Sequence, residues 1–143
     1  MNIRKYSAND TLDCINIFLS NRPKYFAVHE LELFKKWLDK NEKNYYILEE
    51  DGKAAGCCGF EVRNHCAFIA WHMVHNDLHE KGHGSAILNY TLKRIISKVN
   101  WIALDTSQHT YKFYEKFSFR VDKIIKNYYA KGLDRYDMSM QVK

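Results

Sequence analysis

Proline is all but missing from this chain, with one in 143 residues, and glycine is sparse at six. No stretch rich in Pro, Gly or Ser divides the sequence, so no linker is expected, and neither an internal repeat nor a low-complexity tract is present. Long apolar runs are also lacking. The uncharged stretches, Ala54–Phe60 among them, are all well below the roughly 20 residues that a membrane-spanning helix needs. No apolar segment follows the basic residues of Met1–Tyr6, so a secretory signal is not expected either. Four cysteines occur, Cys14, Cys57, Cys58 and Cys66, without the paired spacing of a structural zinc site. In a chain expected to be cytoplasmic they read as free thiols, Cys57 and Cys58 as small buried hydrophobes. Charge is close to balanced, 22 Lys+Arg against 17 Asp+Glu, and a formal +5 is too little to indicate nucleic acid on its own.

What the chain does have is apolar material: 46% hydrophobic and 15% aromatic residues. At this length a single domain over residues 1–143 can bury roughly two thirds of its unfolded surface. Ile3–Tyr6 reads as a strand. Asp10 is a candidate N-cap for a helix with Leu12, Ile15, Phe18 and Leu19 on its apolar stripe, and a second helix runs about His29–Lys40. Tyr45–Glu49 and Lys53–Val62 are strands joined by Asp51-Gly52, a two-residue hairpin signal. Cys66–His75 is a long, mostly apolar and so central strand. Gly82–Val99 carries Ile87, Leu88, Thr91, Leu92, Ile95, Ile96 and Val99 at helical spacing. Trp101–Asp105, Thr110–Phe117, Phe119–Tyr128 and Tyr136–Val142 then read as strand, helix, strand and strand. The order β-α-α-β-β-β-α-β-α-β-β makes an α+β domain with one mixed sheet.

The segment from His75 to Ser85 stands out. A long strand ends, a polar loop follows, and Gly82 and Gly84 open the most periodic helix in the chain. Unpaired amides and the macrodipole make such a helix start an anion seat, and two glycines clear the approach, with Lys81 adding charge. A P-loop does not fit, because the lysine precedes the first glycine. A dinucleotide fingerprint does not fit either, because Ile87 occupies its third glycine position; Asp105, 21 residues after Gly84, mimics only the ribose-binding acid.

The same segment resembles the acyl-CoA signature of the GNAT superfamily of N-acetyltransferases, Arg/Gln-x-x-Gly-x-Gly/Ala, with His79 at the first position and Gly82 and Gly84 at the small ones. Phe113-Tyr114-Glu115-Lys116-Phe117-Ser118-Phe119 is similar to that family's Tyr-Glu-Lys-x-Gly-Phe segment, with Ser118 for glycine. Asn127-Tyr128-Tyr129 and Asp134-x-x-x-Met138 are similar to the ribosomal-protein alanine N-acetyltransferase branch. The resemblance implies a mostly antiparallel mixed sheet flanked by helices, with acetyl-CoA as co-substrate and no metal. It implies cofactor contacts from Met73, Val74, His79, Glu80, Lys81, Gly82, His83, Gly84, Ser85, Ser107 and Tyr114. Tyr114 would also stabilise the departing thiolate, and direct transfer in a ternary complex is expected because no cysteine has an evident partner base.

The base that deprotonates the amine is left open among Asp105, His72 and His75, with a water chain as a further choice. By strand alternation, His72 and His75 face opposite ways, so with His79 and His83 they do not converge on a metal. Tyr25, Phe26, Trp37, Tyr128 and Tyr129 are candidates for an acceptor wall, although core packing is the plainer account of each. The expected partner is a small-molecule amine or a peptide N-terminus, with no nucleic acid or membrane, and a homodimer is left open. Two alternatives stand beside it. One is a CoA-binding domain without catalysis. The other is an RNA-binding module that stacks bases on Phe117 and Phe119 in Lys116–Val121.

Overall fold

The structure, a computed structural model, describes residues 1–22 and 24–143. Its elements follow the order read from the sequence: β1 (Asn2–Lys5), α1 (Thr11–Ser20), α2 (Glu30–Asn41), β2 (Tyr45–Glu50), β3 (Lys53–Arg63), β4 (Cys66–Val74), α3 (His83–Ile95), β5 (Trp101–Thr106), α4 (Tyr111–Glu115), β6 (Arg120–Ala130) and β7 (Leu133–Gln141). The strands form one seven-stranded sheet in the order β1-β2-β3-β4-β5-β7-β6. Hairpins join β2 to β3 and β6 to β7, so those pairs are antiparallel, whereas α3 crosses over between β4 and β5 and leaves them parallel. At the β2–β3 turn Asp51 (φ 52°) and Gly52 (φ 76°) both adopt the left-handed conformation that a tight hairpin needs.

Two apolar layers cover the sheet. α3 packs across β2, β3 and β4 through Ile87, Leu88, Leu92 and Ile95. On the other face, Cys14, Ile17 and Phe18 of α1 and Phe34 and Leu38 of α2 pack on Tyr45, Ile47, Cys57 and Met73. The apolar stripe expected on α1 is therefore shifted. Leu12 is 68% exposed and Cys14 takes its place at the sheet, because Cys14 packs as an apolar residue against Cys57. Asp10 sits at the start of α1 but does not cap it. Its carboxylate turns back to accept the Ser7 N–H and a two-pronged bond from Arg4, all at 2.8 Å. Helix α3 stops at Ile95, which leaves Ile96 in the following turn and largely exposed. β7 begins at Leu133 rather than Tyr136. Asp134 interrupts the apolar alternation there because its carboxylate accepts the Asn127 N–H across the hairpin.

All four cysteines are free, and Cys14, Cys57 and Cys58 are fully buried. Phe119 is also buried in the core beneath α3, with Phe117 packed against it, so these rings are not an exposed stacking platform for RNA bases. Among the described residues no helix is long and apolar enough to cross a membrane.

The strand β4 departs from regularity at one place. Its register against β3 slips between Cys57 and Gly59, and Trp71 takes φ 50°, which marks a bulge. The Tyr45 hydroxyl donates to the Trp71 carbonyl at 2.6 Å and holds the bulge in place. Tyr45 fits because Gly59 offers no side chain: a Cβ there would collide with the Tyr45 ring and lie 2.5 Å from the Asn44 carbonyl. Gly59→Ala is therefore expected to destabilise the fold by about 1–3 kcal/mol through overpacking. Chemical denaturation measures this, and an unchanged midpoint would contradict the packing described.

Candidate active site

β4 and β5 pair over Cys66–Phe68 and Trp101–Ala103, and beyond that point they part. The gap opens a cleft of about 1110 Å³ whose walls include the free stretch of β4, the start of α3, the end of β5 and α4. The loop from β4 reaches α3 through two left-handed residues, Glu80 (φ 65°) and Gly82 (φ 88°). The first helical bond runs from Ala86 N–H to the Gly82 carbonyl at 3.1 Å, so helix geometry leaves the preceding amides without partners. Of the residues expected to contact the cofactor, Met73, Val74, His79, Glu80, Gly82, Gly84, Ser85, Ser107 and Tyr114 line the cleft.

Two expected cofactor residues lie elsewhere. Lys81 is exposed and points outside the lining. His83 is buried on the opposite side of α3, where its Nε2 meets Glu50 Oε2 at 3.2 Å while Nδ1 has no partner. The turn imposed by Gly82 directs position 83 inward, so its imidazole anchors the helix and leaves its backbone to the anion seat. His79 stays at the cleft, and its ring is occupied: Nε2–H donates to the Val74 carbonyl at 2.9 Å, beside an Asn21 amide bond to the same oxygen at 3.0 Å.

The bulge decides where His72 points. Ala67 and Ile69 face the α3 layer, and strict alternation would send His72 to the other face. The extra residue at Trp71 reverses the parity, so Trp71 and Met73 join the α1/α2 layer and His72 turns toward α3. There its Nε2–H donates to the Gly84 carbonyl at 2.9 Å, which leaves Nδ1 to accept the Tyr114 hydroxyl at 2.7 Å. Enclosure penalises the imidazolium and pushes the His72 pKa down to about 4; burial drives the Tyr114 phenol well above its ordinary value. His72 is neutral at physiological pH, and both its nitrogens are committed. It does not fit the role of base, for which it is one of several candidates.

His75 fits no better. It lies past the end of β4, where its Nδ1 accepts the Asp77 N–H at 3.2 Å, and it does not line the cleft. Asp105 does line it, at the end of β5, accepting the Tyr129 hydroxyl on Oδ1 with Arg135 at 4.0 Å from Oδ2. Burial and the Asp105 charge raise the Tyr129 pKa, so that phenol stays a donor. Ser107 is buried at the turn into α4 and accepts the His109 N–H at 3.2 Å.

The five aromatics Tyr25, Phe26, Trp37, Tyr128 and Tyr129 all reach the cleft wall. So do Asn21, Glu30, Lys112 and Lys116, which the sequence alone did not single out. The two lysines flank Tyr114 four positions apart, a spacing that places both on one side of a helical turn. Glu30 and Asn21 carry no comparable signal, because the long loop between α1 and α2 decides their position. No group of three His, Cys, Asp or Glu is placed to hold a metal ion among the described residues.

Comparison with known proteins agrees with this geometry. No curated protein matches the chain by sequence at a significant level. The ribosomal-protein-S18-alanine N-acetyltransferase of Escherichia coli shares its fold at TM-score 0.82 and 19% identity, over 99% of this chain and 94% of that one. Ard1 from Thermoplasma volcanium does so at TM-score 0.84 and 19% identity, over 99% and 97%. N-acetylglutamate synthase from Neisseria gonorrhoeae, solved with coenzyme A and N-acetyl-glutamate, matches at TM-score 0.77 and 14% identity, over 99% of this chain and 35% of that one. The family model of the acetyltransferase (GNAT) family matches residues 11–119, from the first turn of α1 to the segment after α4, and so spans the parted strands, the glycine loop and Tyr114. The chain belongs to the acetyltransferase (GNAT) family.

Proposed function

We propose that this protein moves an acetyl group from acetyl-CoA to a primary amine, which attacks the thioester directly while both substrates are bound. The observation that carries the proposal is the union, in one cleft, of a free strand edge, an open helix N-terminus and a buried tyrosine hydroxyl. The residues fit the cofactor. The amides opening α3 suit a pyrophosphate, with Lys112 and Lys116 adding positive charge at the wall. The unpaired stretch of β4, with Met73 and Val74, offers backbone groups to the amides of a pantetheine arm. When bound, acetyl-CoA supplies an activated acyl carbon and a thiolate leaving group.

In the resting arrangement Tyr114 donates to His72. To stabilise a departing thiolate, the hydroxyl gives up that neutral bond, worth about 1 kcal/mol net, for one to a charged sulfur worth about 1.5–3 kcal/mol. The exchange is favourable only once negative charge develops on sulfur, as transition-state stabilisation requires. The raised Tyr114 pKa favours donation of a hydrogen bond over full proton transfer. His72, anchored to the Gly84 carbonyl, acts as a positioning residue for the phenol. Asp105 attracts the incoming ammonium. A cysteine route is not supported: burial pushes the Cys58 thiol up to about 12, and Cys57 is buried beside Cys14. Phe26, Trp37 and Phe68 also line the cleft of about 1110 Å³, room for the body of a small amine or the first residues of a peptide.

Three measurements test this reading. Acetyl-CoA should raise the melting temperature by linkage. Ser85→Asp places a carboxylate in the first turn of α3, which favours the helix dipole but repels a pyrophosphate. It should keep or raise the Tm of the free protein and abolish the acetyl-CoA shift, and a retained shift would remove the anion seat. Tyr114→Phe should lower kcat by up to about 10²-fold with little change in acetyl-CoA binding; an unchanged kcat would leave Tyr114 as packing alone. Initial-rate plots against both substrates should intersect, and parallel lines would point to an acyl-enzyme instead.

A further inference from the structure

Glu30 is the most unusual charged side chain in the protein. It opens α2, is 6% exposed, and lines the cleft. One oxygen, Oε2, accepts the Ala27 N–H at 2.7 Å; no lysine, arginine or histidine among the described residues forms an ion pair with the other. A buried carboxylate without a cation is costly, and such a group in a cleft marks a place where a cation arrives. We propose that Glu30 is the proton acceptor of this site, taking a proton from the acceptor's ammonium through Oε1. The inference rests on the acetyl-transfer reading above.

Its surroundings are suited to that task. Burial raises the Glu30 pKa above the ordinary carboxylate value, and the Asp105 charge raises it further, with His29 on its own helix and the Ala27 bond working the other way. Asp105 from β5 also raises the pKa of Tyr114, so its field reaches both the base and the leaving-group end. Tyr25 from the α1–α2 loop, His109 from the turn into α4, Tyr129 from β6 and Arg135 from β7 are among the other charged and titratable groups of the cleft wall. Arg135 is held by Asp137 at 2.6 Å and lies at 4.0 Å from Asp105, so it is already paired away from Glu30. Asp105, by contrast, is half-exposed and already engaged by Tyr129 and Arg135. The two carboxylates divide the work: Asp105 draws the ammonium in and Glu30 deprotonates it.

The step balances as follows. An N–H bond of the ammonium breaks as an O–H bond forms on Glu30, and the freed lone pair attacks the thioester carbonyl. As the C–S bond breaks, the second nitrogen proton passes to the departing thiolate. Glu30 returns its proton to solvent through the open cleft, so the products are amide, thiol and one proton.

The test is the pH profile of kcat/KM, from pH 5.5 to 9.5, for the tripeptide Ala-Gly-Gly with acetyl-CoA. Glu30→Gln keeps a carbonyl acceptor for the Ala27 N–H, so a purely structural role predicts a wild-type profile. If Glu30 is the base, the wild type reaches its plateau at lower pH than Glu30→Gln does. Glu30→Gln then falls by about 10²-fold at pH 6. Its limb climbs until about pH 8, where an α-amino group loses its own proton. The acetyl-CoA thermal shift should be retained in the variant, which shows that it is folded. Asp105→Asn should raise the KM for the tripeptide and, by removing a charge that raises the Glu30 pKa, move the limb to lower pH, opposite to the shift in Glu30→Gln. A Glu30→Gln limb that coincides with wild type overturns Glu30 alone. Wild-type protein that releases no thiol at any pH overturns the acetyl-transfer reading on which it depends.

Discussion

Much of the site depends on one hydrogen bond, from the Tyr45 hydroxyl to the Trp71 carbonyl. Tyr45 is fully buried, so its hydroxyl needs a partner, and a bulged strand offers an outlying carbonyl that a regular ladder would have used. A tryptophan at φ 50° is unfavourable by itself, and three aromatic neighbours, Phe18, Phe26 and Phe34, pack around its ring and over-determine the conformation. The consequence is a change of parity. Before the bulge, odd-numbered residues of β4 face α3; after it, even-numbered ones do. His72 thereby comes under the first turn of α3, and the two apolar layers stay sealed on either side of the strand.

The second constraint is the crossover. A helix between β4 and β5 forces them parallel, and the two strands keep their pairing for three residue pairs before parting. An unpaired strand interior is tolerated only where something else satisfies its backbone. At its end, the Val74 carbonyl is met by Asn21 and His79, and the rest of the exposed edge faces the cleft, where a ligand with amides of its own can take the ladder's place.

Electrostatically, the cleft carries groups of opposite character. The α3 end presents open amides, with Lys112 and Lys116 along the wall, and suits an anion. The cleft wall also carries Glu30 and Asp105, the latter with Arg135 at 4.0 Å, and Glu30 has no cation paired to it among the described residues. The same wall includes a neutral pair, His72 and Tyr114, each held uncharged by desolvation. In the proposed reaction, that arrangement would keep the reacting centre free of fixed charge that favours either ground-state ion and leave one hydroxyl to meet the charge that develops on sulfur.

The sequence by itself determined the order and type of the elements, the Asp51-Gly52 hairpin, the glycine-opened helix and the candidacy of Tyr114 and Asp105. Those features are local: periodicity, turn chemistry and motif spacing act over a few residues and need no partner to be read. Tertiary structure decided the rest. Leu12 and Cys14 are both compatible with a helical stripe, and packing against Cys57 chose the cysteine. Alternation assigned His72 to one face, and a single bulged residue, fixed by a tyrosine 26 positions away, moved it to the other. His83 lay within a motif yet turned to Glu50, and Glu30 carried no motif yet entered the cleft. A side chain's direction at a bulge, a loop or a helix start is set by contacts distant in sequence, and spacing along the chain does not encode them.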